Sequence, residues 1–472
     1  MTELIRLTAR DAVAKLRTGE LCPRDLLDAA EARIAAVEPR INALPTRCFD
    51  RARDRADRLM AAGPPTEPGP GYLFGLPLAI KDLTDVAGVR TTYGSPILAD
   101  NVPAASDILV ERLEANGGLV CAKSNTPEFG AGAQTFNPVF GVTATPWDVS
   151  RTSAGSSGGS AAALAAGEVW LATGSDLAGS LRTPASFCGV VGFRPSPGRV
   201  ARAPTPLPFD TLAVEGPMAR TVGDVALMLD ALAGAHPRDP IALPAPAEPF
   251  QKAVDEPGKL GRVAFSPDLG ITPVATEVRE ICAAAAARFG DLGAEVEAAC
   301  IDFRDAERCF QALRGARFLA SLGPRLESHP GQLKEDIIWN IERGRNQSAD
   351  EVAWAERKRG EIAARAADFF ARYDVLVCPA AAVAPFDHAI RYIEEIEGTR
   401  FDSYIGWLAL AFAITLTGCP SLSLPCGVTE NGLPVGLQIV GPPRGEARVL
   451  SAAAQFEAVA GCAGRVPLEP RP

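Results

Sequence analysis

The stretch "TSAGSSGGS", residues 152–160, restricts what this chain can fold into more than any other. Its nine residues hold four serines, three glycines and no charge. Such a run has almost no apolar surface to bury and cannot form a core by itself. It leads into "SAAALAAGEVWLATG", residues 160–174, which reads as a small-residue helix that must pack. A flexible linker is flanked by exposed residues, so that reading fits poorly. A phosphate cradle would need a P-loop lysine, or GxGxxG after a strand, and neither is present. Gly155, Ser157 and Gly159 match GxSxG formally, but proline and aspartate break the preceding segment where the elbow needs a strand. The three histidines, His236, His329 and His388, sit in no catalytic context. A fourth reading is a serine site whose base is not histidine, and it draws on what lies around the stretch.

Two other segments supply its parts. Only seven of the 47 basic residues are lysines, so a lysine inside an apolar segment stands out. Lys81 is such a residue, in "GLPLAIKDLTDV". Ser180 lies 24 residues after Ser156 in a second small-residue turn, "GSDLAGSLRTPASFCG". A neutral lysine is also a base, so two serines and a lysine can replace Ser–His–Asp. To be half neutral at pH 7, a lysine must shift down by about 3.4 units, which burial can achieve. Asp82, next along an extended strand, is expected to face away from Lys81. Each residue has a plainer alternative. Ser180 alone reads as a turn serine, Ser157 as a helix cap, Lys81 as a snorkelling lysine and Cys188 as a core thiol.

At these residues the chain closely resembles the amidase signature family. The glycine–serine signature is matched by "AGSSGGSAAALAAGEVWLATGSDLAGSLRTPASFCGVVGFRPSPGRV", residues 154–200. The lysine segment is matched by "FGLPLAIKD", and a following one by "KSNTPE". The C-terminal pattern is matched by "LTGCPSLSLPCGVTENGLPVGLQIVGP", residues 416–442. The resemblance implies Ser180 as nucleophile, Ser156 as bridging serine behind a cis bond from Gly155, and Lys81 as terminal base. It implies an oxyanion hole from the backbone N–H groups of Leu177, Ala178, Gly179 and Ser180. Ser157, Asp176 and Arg182 are expected to support the turns. Two residues depart from the family's pattern: Ala154 and Ala178 stand where glycine is usual.

The expected architecture is α/β: one large domain with a mixed sheet covered by helices on both faces. Within 1–472 the reading divides the chain into N-terminal helices (1–65), a catalytic signature core (72–200), a variable, partly helical substrate-specificity region (201–372) and C-terminal core strands with a closing helix (373–472). Helix signals are clearest early: Thr8 with Asp11 as a start and Gly19 as a stop, Pro23 opening a second helix, and a third over 49–62. Residues 274–292 read as a later helix. Phe129, Phe136, Phe140 and Trp407 are candidate pocket aromatics.

The expected function is hydrolysis of a carboxamide through an acyl-enzyme, releasing a carboxylate and ammonia or an amine, with no cofactor and no metal. A glutaminase component of an amidotransferase built from several chains is the nearest alternative, and a catalytically silent interaction protein on the same fold is a third. A net charge of −10 argues against nucleic acid. The longest apolar run, residues 407–416, is too short to span a bilayer. Eleven cysteines without a CxxC pair, and no apolar leader segment, suit the cytoplasm. The expected partner is a small-molecule amide. A homodimer is a family-level expectation.

Overall fold

Thr8 accepts a hydrogen bond from the N–H of Asp11, and the helix Ala9–Thr18 ends at Gly19, whose φ is +74°. The next helices run Pro23–Ile41 and Phe49–Ala62, the former burying Leu26, Leu27, Ala30, Ile34 and Val37. These ends agree with the sequence reading because caps and proline act within one turn of chain. The protein is described here from a computed structural model covering residues 3–461 and 469–471.

An 11-stranded mixed sheet organises the rest. Its strands are β1 (Thr46–Arg47), β2 (Pro77–Lys81), β3 (Leu119–Ser124), β4 (Leu171–Asp176), β5 (Val191–Arg194), β6 (Val214–Ala219), β7 (Arg262–Phe265), β8 (Glu295–Ala298), β9 (Val375–Pro379), β10 (Ser421–Val428) and β11 (Pro434–Val440). Their spatial order is β1-β3-β2-β4-β6-β5-β10-β11-β9-β7-β8. β2 runs parallel to β3 and β4, whereas β6 pairs antiparallel with both β4 and β5. Helices cover both faces, and the whole fold is a single α/β domain. The region expected to be variable supplies β6, β7 and β8, so it is built into the sheet.

Two readings change. Residues 160–174 are not one helix: the helix is Gly158–Ala166, closed by Gly167 at φ +74°, and the chain turns into β4. The alanines favour a helix, but the left-handed glycine ends it and "VWLAT" then suits a buried strand. The expected helix over 274–292 is Thr276–Ala287 followed by a separate short turn at Gly290–Leu292. The helices Ala306–Ser328, Glu335–Asn346 and Ala349–Phe370 follow as expected. Among the described residues, no helix is long and apolar enough to cross a membrane.

Candidate active site

Lys81 ends β2 with no solvent exposure. Its N–H donates to Thr173 Oγ1 of β4 at 2.9 Å, which anchors the strand end. Its Nζ meets three hydroxyls: Ser156 Oγ at 2.7 Å, Ser157 Oγ at 2.9 Å and Ser175 Oγ at 2.9 Å. An ammonium would donate to all three. A neutral amine donates to two and leaves its lone pair for a proton from the third. Burial pushes Lys81 down to about 7, while the carboxylates of Glu215 and Asp176 pull it upward. Asp82 does face away, as expected. It lies 3.2 Å from the buried Lys123 and accepts from the N–H and hydroxyl of Thr92.

The glycine–serine segment brings the two serines to this amine. Its Gly155–Ser156 peptide is cis. Ser157 precedes the helix Gly158–Ala166 but makes no side-chain cap; its hydroxyl turns to Lys81 instead. The glycines are needed for close approach: a Cβ on Gly158 would collide with Thr135 and Ser153, and one on Gly159 with the backbone of Asn125. Ala154 takes φ +55° with no exposure, so an alanine occupies a left-handed position where the family usually has glycine.

The second turn, residues 176–181, joins β4 to the helix Arg182–Cys188. Asp176 pins it. The carboxylate accepts from the N–H of Gly179 at 2.9 Å and of Leu181 at 3.2 Å, and receives Arg182 Nε and Nη2, each at 2.9 Å. Arg194 approaches at 3.4 Å. Burial alone would push the Asp176 carboxyl up. Arg182 and Arg194 outweigh it and hold the group well below the usual carboxylate range. Arg182 also donates to Gln438 Oε1 and Thr415 Oγ1, so the turn is fixed to β11 and to the helix Ala409–Thr417.

The N–H of Ser157 donates to the carbonyl of Ser180 at 3.2 Å, tying the two turns together. Ser156 and Ser180 line one cavity of about 200 Å³. Leu83, Phe129, Leu177, Phe318 and Leu322 form its apolar wall, and Tyr93, Arg202, Glu215 and Arg317 its polar side. Among the described residues, the N–H groups of Leu177, Ala178 and Ser180 have no protein acceptor, whereas that of Gly179 is taken by Asp176. The expected set of four free donors is therefore three. Ala178 does not take a positive φ, so its methyl is accommodated.

Of the four candidate aromatics, only Phe129 reaches the cavity. Phe136 stacks beneath Lys334 and Phe140 beneath Arg90. Trp407 is buried against Phe187 and Phe386. Sequence reasoning missed Ser175, Arg194 and Glu215. Arg194, an arginine directly after "GVVGF", carried the same signal as Lys81: a charge inside an apolar strand.

Residues 25–450 match the family model Amidase. An acylamidase from Rhodococcus erythropolis is 36% identical over 471 residues, covering 98% of this chain and 97% of that protein. A glutamyl-tRNA(Gln) amidotransferase subunit from Prochlorococcus marinus (strain MIT 9303) is 33% identical over 480 residues, covering 94% and 95%. Among solved structures, a bacterial aryl acylamidase of the amidase signature enzymes superposes with a TM-score of 0.89 at 27% identity, over 98% of this chain and 99% of that one.

Proposed function

The chain belongs to the amidase family, as a hydrolase of C–N bonds in linear amides, and on that premise we propose that Ser180 is its nucleophile, Ser156 its proton bridge and Lys81 its base. One observation carries this reading. A lysine amine sealed from water lies 2.7 Å from Ser156 Oγ, and Ser156 shares a cavity with Ser180.

The chemistry follows from those positions. Ser180 Oγ attacks the amide carbon and passes its proton to Ser156, while Ser156 gives its own to Lys81 Nζ. The negative oxygen of the tetrahedral intermediate is met by the free N–H groups of Leu177, Ala178 and Ser180. Such preorganised donors commonly stabilise this intermediate by several kcal/mol. The proton on Lys81 then returns through Ser156 to the leaving nitrogen, and ammonia or an amine departs. Water repeats the relay on the Ser180 ester and releases the carboxylate. These steps use only side chains, backbone and water. The apolar wall beside Ser180 supports an apolar or aryl group on the substrate, in keeping with the acylamidases this chain resembles.

The stand-alone reading is tested with the chain purified by itself. Hydroxylamine added during turnover of a simple amide is expected to yield the hydroxamate, and Ser180→Ala to abolish it. Activity that appears only with added partner chains would favour the glutaminase reading, which similarity to the amidotransferase component keeps in view. The described cysteines are all unbridged, which supports the cytoplasm as the place of action.

A further inference from the structure

The proposed relay leaves one charge to account for. When Lys81 takes the proton it becomes an ammonium with no water around it, and an unpaired buried cation is costly. Its three hydroxyl neighbours carry no charge. Asp176 is already held by two arginines, with Arg182 on both oxygens and Arg194 at 3.4 Å. Lys123, on the neighbouring strand, is matched by Asp82.

Glu215 is the carboxylate left over. It sits on β6 directly opposite Ser175 of β4. Paired residues of antiparallel strands project to the same face, so its side chain stands beside the serine whose hydroxyl touches Lys81 Nζ. It lines the same cavity as Ser156 and Ser180. The side chain is 16% exposed, its nearest ion-pair partner is Arg202 at 3.8 Å, and Oε2 is buried without a hydrogen-bond partner. Arg202 is committed elsewhere, donating to the Ala213 carbonyl at 2.7 Å. Arg317, the other cation facing Glu215, donates to Asp210 at 2.7 Å.

We propose that Glu215 is a positioning residue for the base, its carboxylate serving as the countercharge to the ammonium formed at Lys81 during each proton transfer. Glu215 neither gains nor loses a proton in the step. The proton leaves Ser180, reaches Lys81 through Ser156, and returns to the leaving nitrogen. The charged groups facing Lys81 are Asp176 and Glu215, and both pull its pKa upward against burial. Those facing Glu215 are Arg202, Arg317 and Lys81, and burial raises its own pKa. Asp107 lies across the adjoining recess and feels the Glu215 charge.

This inference rests on Lys81 being the base, and the test separates the two. The measurement is kcat/KM against pH, from about 5 to 10, for the wild type, Lys81→Met, Glu215→Gln and Glu215→Asp, with folding checked by thermal melting. Glu215→Gln is expected to move the acid limb down by roughly one pH unit, because loss of a nearby opposite charge lowers a lysine pKa. Its plateau falls about tenfold, since the base is weaker. Glu215→Asp retains most of the wild-type limb. An acid limb in Glu215→Gln that coincides with the wild type overturns the inference, whatever happens to the rate. Activity surviving in Lys81→Met overturns the assignment of the base, and this inference with it. Should Glu215→Gln fail to fold, Arg202→Gln supplies the opposite shift. Removing the cation nearest Glu215 moves the limb upward, and an unmoved limb there overturns the inference equally.

Discussion

Asp176 and Arg182 face each other across the turn that carries Ser180 in a two-armed ion pair with no solvent exposure, both contacts at 2.9 Å. The same carboxylate also holds the N–H groups of Gly179 and Leu181. One buried interaction thereby orients the backbone from which the proposed oxyanion donors project. Removing one partner of a buried pair leaves an uncompensated charge, which costs about 3–5 kcal/mol. Arg182→Met is expected to lose that much stability in urea denaturation, and activity with it. The depressed Asp176 carboxyl contributes stability above its unfolded value near ~3.9, and that contribution is lost as pH falls through its lower folded value. Acid unfolding of Arg182→Met should accordingly begin at a higher pH than that of the wild type.

Ser156 and Ser157 both touch Lys81, but only Ser156 also lines the cavity with Ser180. Ser156→Ala breaks the proposed bridge and is expected to lower kcat by about 10²–10⁴-fold, the usual worth of a positioned proton carrier. Ser157→Ala removes one of three contacts to the amine and should cost roughly tenfold. Steady-state kinetics of the two variants on one amide decides it. Equal losses would mean that Ser157 also carries the proton.

The proposed relay needs the neutral amine of Lys81, so kcat/KM should fall about tenfold per pH unit below the lysine pKa of about 7. Lys81→Arg cannot deprotonate and is expected to be inactive across pH 5–10. The stability effect runs the other way. A lysine whose folded pKa lies below its unfolded value costs stability, fully at low pH, and the cost fades as pH rises from about 7 toward ~10.4. Lys81→Met should therefore be more stable than the wild type at pH 7, by about 2 kcal/mol once the lost serine contacts are subtracted. That gain should shrink toward pH 10. Equal melting temperatures for the two proteins across this range would show that the amine is not held neutral at a cost.

Gly179 takes φ +103°, and a Cβ there would lie 2.6 Å from the Cβ of Ala411 and 2.7 Å from Thr183 Oγ1. Gly179→Ala must bend the turn that carries Ser180 away from the helix Ala409–Thr417. We expect a loss of about 1–3 kcal/mol in stability and at least a hundredfold fall in kcat, comparable to losing an oxyanion donor. KM should change less than kcat, because Leu83, Phe129, Phe318 and Leu322 of the apolar wall lie outside this turn. Unchanged kcat in a folded Gly179→Ala would show that the turn tolerates displacement and is not the oxyanion site.

What the sequence determined by itself is local. Thr8, Gly19 and Pro23 marked helix ends because caps act over three or four residues. The glycine–serine run and Lys81 were legible because each departs from what its neighbourhood would do if it served only to pack. Arg194 carried the same mark and could have been read. Ser175, Glu215 and the second role of Ser157 could not. Ser175 lies in a segment that reads as a small-residue turn, and it is strand because β4 runs on to Asp176 between β2 and β6. Glu215 meets the site through the register of β6 against β4, some 40 residues apart in the chain. A shift of that register by one residue would turn its carboxylate to the other face. Residue types and their spacing thus offer two serine turns and a lysine, and the family resemblance implies which is nucleophile and which is base. The sheet decides which charges surround that base, because electrostatic neighbours across strands are set by pairing and burial and leave no periodic trace in the chain.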